Sequence, residues 1–320
     1  MITRKVFAEV SVVDVMRLLS RAVSLGLAAA VIPLGGCSTR TLAVNAIGNA
    51  LARGGSSWGS DDDTELVRDA TPFALKTIES LLAESPRHRG LLFAATSGFT
   101  QYAYAFVHTE ADYVEATDLA RATAMRGRAV KLYLRARDYG LRGLEVAHAG
   151  IGARVRADAG AAAAVCGKED VPLLYWTAVS WAAAVSLAKQ NSELSVDLPV
   201  VEALMRRALL LDGRFGAGAI HDFFIAYEGG RPAAAGGSAA RAREHFERSL
   251  ALSGGGRAAP FVGLAESVCI SVQDRVEFVK LLERALAVDL EKAPDQRLAN
   301  VIAQKRARWL LARADELFLE

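Results

Sequence analysis

From Thr64 to the end of the chain, Ala, Leu, Arg and Glu dominate, apolar residues recur at helical spacing, and Gly or Pro falls mainly between the periodic segments. No stretch alternates apolar and polar side chains as a half-buried strand does. A chain of this kind can bury its apolar stripes only by packing helix on helix, so the expected class is all-α. The expected helices cover residues 72–83, 88–107, 113–139, 141–148, 153–168, 172–189, 198–211, 216–227, 238–252, 258–268, 274–290 and 294–318. Thr71 reads as the N-cap of the first, with Pro72 at its first position, and Ser238 reads as the N-cap ahead of Ala239. Gly229-Gly230 and Gly254-Gly255-Gly256 stand where a left-handed residue would close a helix.

Three helix ends read alike. Arg207-Ala208-Leu209-Leu210-Leu211-Asp212, Arg248-Ser249-Leu250-Ala251-Leu252-Ser253 and Arg284-Ala285-Leu286-Ala287-Val288-Asp289 share a small residue, apolar positions and a polar stop, at spacings of 41 and 36 residues. Those spacings approach the period of tetratricopeptide-like or HEAT-like helix pairs. Trp176, Val179, Ser180 and Ala183 partly fit the first helix of such a pair. The expectation is a degenerate α-solenoid of tetratricopeptide-like helical repeats, with a compact helical bundle as the alternative.

Ahead of this body, residues 22–34 carry no charge, follow Arg17 and Arg21, and run into Leu34-Gly35-Gly36-Cys37. This is the layout of a secretory signal, too short to span a bilayer, and its last four residues resemble a bacterial lipobox. Cys37 is then the expected lipid attachment residue, and more than one acyl chain makes the anchoring stable. Met16 gives a more compact signal than Met1, because residues 1–15 add Glu9 and Asp14. Residues 1–36 are expected to be a signal peptide, 37–63 a flexible Gly/Ser/Asp-rich tether and 64–320 the helical-repeat domain. Ser38 after the cysteine points to the outer membrane, with the periplasmic face of the inner membrane as the other address.

Without residues 1–36 the chain is formally neutral and has no Lys/Arg tract, which removes the electrostatic footprint of a nucleic-acid partner. Cys166 and Cys269, the two cysteines beyond Cys37, are too few for a disulfide scaffold. They are expected to be buried and unpaired, with a mutual disulfide as the alternative, and neither has the neighbours of a reactive thiolate.

The five histidines show no metal-ligand spacing, and no nucleophile elbow, phosphate loop or Ser/His/Asp order occurs. No catalytic residue, metal or cofactor is expected, and the chain is read as not an enzyme. His221 and Glu228 are two helical turns apart and can share a side. Phe223 and Tyr227 share a helix face, whereas Tyr102, Tyr104 and Phe106 spread around theirs, as Trp176 and Trp181 do. A site for an apolar ligand needs concave apolar surface with a few polar orienters. The candidate lining residues are Tyr175, Trp176, Trp181, His221, Phe224 and Tyr227.

From about Pro72 to Phe318 the sequence resembles the T component (TatT) of tripartite ATP-independent periplasmic, or TRAP, transporters. The resemblance rests on Leu132-Tyr133-Leu134-Arg135-Ala136 with Asp138-Tyr139-Gly140, and on Tyr175-Trp176-Thr177-Ala178-Val179-Ser180-Trp181. It continues through His221-Asp222-Phe223-Phe224 with Tyr227-Glu228, Arg231-Pro232, Gly236-Gly237-Ser238, and Ala242-Arg243-Glu244-His245-Phe246. Its last part is Arg297-Leu298-Ala299-Asn300, then Arg306-Ala307 and Leu317-Phe318. Ser180 and Ile225 depart from the small residues of the family pattern. The resemblance implies a periplasmic lipoprotein that forms a homotrimer with a central pore, associates with a solute-binding P component and takes a hydrophobic or amphipathic cargo. A second function of a different class, a tetratricopeptide-type scaffold lipoprotein for envelope or outer-membrane assembly, fits the same anchor and repeats.

Overall fold

The computed structural model describes residues 45–49, 56–188 and 190–319. Cys37, the signal segment and most of the stretch read as a tether lie outside the described residues. Among the described residues the chain is helical with no strand, as its periodicity requires.

Helix α1 is Thr64–Glu84, eight residues longer at its start than the 72–83 segment expected. Its N-cap is Asp63, not Thr71. The Asp63 carboxylate accepts from the backbone N–H of Glu65 and Leu66, at 3.1 and 2.9 Å. Pro72 therefore sits inside the helix, where it removes one ladder bond, while Thr71 Oγ1 donates to the Val67 carbonyl one turn back. Burial of Val67, Leu75, Ile78 and Leu82 along one side carries the helix through. The ordered body also begins earlier than Thr64: residues 45–49 and Ser56–Gly59 are helical, and Gly59 lies against the Asp295 backbone.

Helix α2, Arg89–Ala103, is capped by His88, whose Nδ1 accepts from the Leu91 N–H at 3.1 Å. It passes through a π turn, Tyr104–His108, into Thr109–Val114. A new cap at Asp118 then opens α3, Leu119–Ala147. The expected break near Tyr139 is absent, because Gly140 and Gly143 serve close helix packing there instead of a turn. Asp158 ends α4, Ile151–Ala157, and caps α5, Ala159–Ala164, so the alanine-rich stretch is two short helices.

Helix α6 is Val171–Leu187, α7 is Leu198–Asp212, and α8 is Ala219–Gly229. Helix α9, Ala239–Ser253, has the expected Ser238 cap, and Gly254 and Gly255 close it with φ of 59° and 75°. Gly230 instead has φ −83°, so the expected left-handed closure does not occur after α8. The glycine before it is required for approach: a Cβ on Gly229 would come within 2.7 Å of Ser267 Oγ and Val268 Cγ2. Helix α10, Ala259–Leu264, runs into a second π turn, Ala265–Cys269. Helices α11, Arg275–Leu286, and α12, Arg297–Ala312, complete the body.

Successive helices pack in pairs, α2 on α3, α6 on α7, α8 on α9 and α10 on α11, with α12 against α10 and α11. Three apolar cores follow one another along the chain, centred on Tyr133, on Trp181 and on Phe278. The three look-alike ends fall at the close of α7, α9 and α11. Their shared small residues, Ala208, Ser249 and Ala285, are each 0% exposed, because a larger side chain would hold the neighbouring helix away.

The last helix returns to the beginning of the body. Lys305 Nζ meets Glu110 at 2.5 Å, Arg306 meets Asp112 at 3.0 Å, and Trp309 packs on Tyr113 with ring centroids 5.4 Å apart. Helix α12 also touches α1 and the Ser56–Gly59 turn. The chain of helix pairs is thereby closed on itself.

Candidate functional site

Helix α6 is apolar nearly all round, so it is buried on most sides and can project residues in two directions. Trp181 faces α3 and α7 and is fully buried. Its Nε1 donates to Asp197 Oδ2 at 3.1 Å, and Arg137 and Arg156 lie over its ring at 5.0 and 5.5 Å. Those three charged residues border a surface groove of about 540 Å³ that also includes Asn191, Leu194 and Val196. Trp181 shapes the groove from beneath and offers it no surface. Trp176 is half-buried and packs edge-on against Tyr175 at 5.0 Å, while Tyr175 also meets Phe215 at 5.2 Å.

His221, Phe224 and Tyr227 do come together, on the side of α8 that packs against α9. His221 Nδ1 and His245 Nδ1 are 2.8 Å apart, and the His245 ring stacks on Phe224 at 4.8 Å. Burial holds both imidazoles below their ordinary range, and His245 and Arg248 press His221 further, to about 4. Glu228 pulls His245 the other way. Tyr227 stacks with Phe223 and donates its hydroxyl to Glu202 Oε2 at 2.8 Å. Glu228 does not pair with His221. Its carboxylate is buried and accepts from Arg241 Nη2 at 2.6 Å, with Arg206 and Arg231 at 3.8 and 3.7 Å.

A different set of polar side chains joins distant segments of the chain. Tyr104 is 46% exposed, yet the surrounding protein pushes its hydroxyl up to about 12, with Glu266 adding to the rise and Arg306 opposing it. Tyr175 behaves alike: it is half-buried, and burial raises its phenol with Asp222 adding to the effect. Burial also raises the Asp222 carboxyl against the pull of Arg257, 2.5 Å away. Glu266 is held in turn by Arg306 at 2.7 Å.

These groups come from the π turn after α2, from α6 and α8, from the segment before α10, from the second π turn and from α12. π turns rotate side chains out of helical register, and they are frequent at functional sites. Asp222, Arg257, Glu266 and Arg306 carried no local signal in the sequence, because the partners of each ion pair come from separate segments. Of this set only Tyr175 was among the residues expected from the sequence.

A second polar cluster lies where α3 ends. Asp170 is fully buried and accepts from His148 Nε2 and from the Gly167 N–H, both at 2.7 Å, and it pairs with Arg89. Cys166 and Cys269 are both free and buried, as expected. Burial pushes the Cys166 thiol up to about 11 and the Cys269 thiol to about 12, so neither is a ready nucleophile.

Comparison with known proteins places this arrangement. A protein of Treponema pallidum (strain Nichols), described as uncharacterized, is 30% identical over 303 residues, which cover 89% of this chain and 94% of that one. The family model for the TRAP transporter T-component matches residues 60–318, the whole body from the turn before α1 to the last helix. With its closed series of helix pairs matched from end to end, the chain belongs to the TRAP transporter T-component family and so has an accessory role in a TRAP system.

Proposed function

We propose that this protein is a periplasmic, lipid-anchored T component that docks the solute-binding P component of its transporter and holds a hydrophobic or amphipathic solute between its helix pairs. The observation that supports the reading is Tyr104, an exposed aromatic on the π turn after α2 that has the Glu266–Arg306 ion pair among its charged neighbours. The Asp222–Arg257 pair offers a second polar group, and the packed rings of Tyr175, Trp176 and Phe215 offer an aromatic surface. Such a mixture of apolar wall and a few polar orienters suits a solute with a hydrocarbon body and a charged or hydroxylated head. His221, Phe224 and Tyr227 serve as packing residues between α8 and its neighbours, and Trp181 anchors α6 through Asp197.

The buried small residues at the ends of α7, α9 and α11 support a tetratricopeptide-like repeat, whose first helices face the interior. No helix among the described residues is long and apolar enough to cross a membrane. Cys37 is the proposed attachment residue, on the strength of the lipobox-like Leu34-Gly35-Gly36-Cys37, and the outer membrane is the proposed address. A homotrimer is the proposed assembly, and the role is non-catalytic.

The test uses the full-length protein purified in detergent with the P component encoded beside it. Association of the two, a trimer by light scattering, and release of a co-purified amphiphile by Tyr104→Ala or Arg257→Ala support the reading. Failure to associate, together with no retained solute, rejects it. Capture of envelope-assembly proteins in place of the P component would favour the scaffold function.

A further inference from the structure

Three metal-binding side chains of unlike chemistry meet at the junction of α3 and α6. His148 follows the last turn of α3, and Cys166 and Asp170 flank the tight turn that leads into α6. One imidazole nitrogen, the Cys166 sulfur and one Asp170 carboxylate oxygen all lie within 4.8 Å of one another. Cys166 and Asp170 are 0% exposed, while the His148 side chain is 18% exposed and leaves a path from solvent.

Nitrogen, sulfur and oxygen donors around one point are the ligand set of tetrahedral zinc, with bonds of about 2.0–2.3 Å. Ligand atoms on such an ion stand roughly 3.3–3.8 Å apart. The 2.7 Å contact between His148 Nε2 and Asp170 Oδ2 would open by about 0.6–0.8 Å on such an ion, and the Cys166 sulfur already lies within 4.8 Å of both atoms. The supporting shell is already in place. Arg89 holds the other carboxylate oxygen and Gly167 N–H donates to Oδ2, fixing the carboxylate as outer partners of a metal ligand do. Arg207 donates to the Cys166 carbonyl at 2.6 Å and pins the backbone of the thiol.

We infer that His148, Cys166 and Asp170 form a Zn²⁺ site that ties the end of α3 to the start of α6, with the fourth position left to water. The thiolate and the carboxylate cancel the charge of the ion, and His148 binds as neutral imidazole. Binding transfers the Cys166 proton to solvent as the S–Zn bond forms, so uptake releases one proton and weakens as pH falls.

The experiment adds Co²⁺, as a spectroscopic substitute for Zn²⁺, to the purified full-length protein freed of metal by chelation. The expected result is one ion per chain, with intense visible bands of a tetrahedral centre and a near-ultraviolet thiolate-to-metal band that Zn²⁺ abolishes. Cys166→Ser removes the thiolate band, His148→Gln weakens uptake at least tenfold, and Cys269→Ser leaves both unchanged. Independently of any variant, ZnCl₂ raises the urea midpoint of the wild-type chain and MgCl₂ does not. Uptake without a thiolate band, uptake indifferent to Cys166→Ser and His148→Gln, or a midpoint unmoved by ZnCl₂ would each overturn the site.

Discussion

His221 and His245, on consecutive helices, face each other with their Nδ1 atoms 2.8 Å apart, and one of the two must be a neutral acceptor. Burial under Phe224 and the nearby Arg248 and Arg206 disfavour a proton on either ring, which brings His221 to about 4. The unfolded chain, with ordinary histidines near 6.5, binds more protons between those values. Stability should therefore be full above about pH 6.5 and fall as the pH drops toward 4, by about 2–3 kcal/mol for His221. Urea midpoints across this range check it, and His221→Gln should flatten the dependence.

Arg306 is the hinge pin of the closure between α12 and the start of the body. It bonds Glu266 at 2.7 Å, meets Asp112 at 3.0 Å and lies over Trp309 at 4.3 Å. Arg306→Gln leaves the Glu266 carboxylate without its cation, while Asp112 keeps Arg126 at 2.8 Å, and should cost about 2–3 kcal/mol by urea unfolding. Lys305→Ala removes a half-exposed pair with Glu110 and should cost under about 1 kcal/mol.

Two glycines of α3 should respond in opposite directions to the same substitution. A Cβ on Gly140 would run into Thr177 Oγ1 and come within 3.1 Å of Thr96 Cγ2, at the place where α2, α3 and α6 meet. Gly140→Ala should lose about 2–3 kcal/mol through overpacking. Gly127 faces open space in the same helix, and Gly127→Ala should gain about 0.5–1 kcal/mol from reduced backbone entropy. Thermal midpoints of the two variants give the comparison.

In α1 the proline works against the helix and the cap supports it. Pro72→Ala restores a backbone donor and should stabilise the protein by about 1–3 kcal/mol. Asp63→Ala exposes two backbone donors and should cost about 1 kcal/mol. Amide exchange within residues 64–72 localises both effects.

The helices that the sequence revealed best are those with a polar cap beside a periodic run. Ser238 and Asp274 are such caps, and α9 and α11 begin within a residue of expectation. Pro72 and Gly140 misled because the punctuation they imply is local, while the burial that overrides it is not. Val67 and Leu75 hold α1 through its proline, and Thr177 needs the space left by Gly140. Likewise, Phe223 and Tyr227 were read as sharing a helix face and do stack, but Glu202 and His245, the partners of Tyr227 and Phe224, come from other helices.

Periodicity alone determined that this chain is all-α, and the recurring ends at Arg207, Arg248 and Arg284 marked where its helix pairs close, because helical spacing and small interface residues are properties of short segments. Which side chains share a space was decided only by the return of α12 to Asp112 and Tyr113. Asp112, Glu266 and Arg306 lie far apart along the chain, and only the packing of α12 against the start of the body and the second π turn brings them within ion-pair distance.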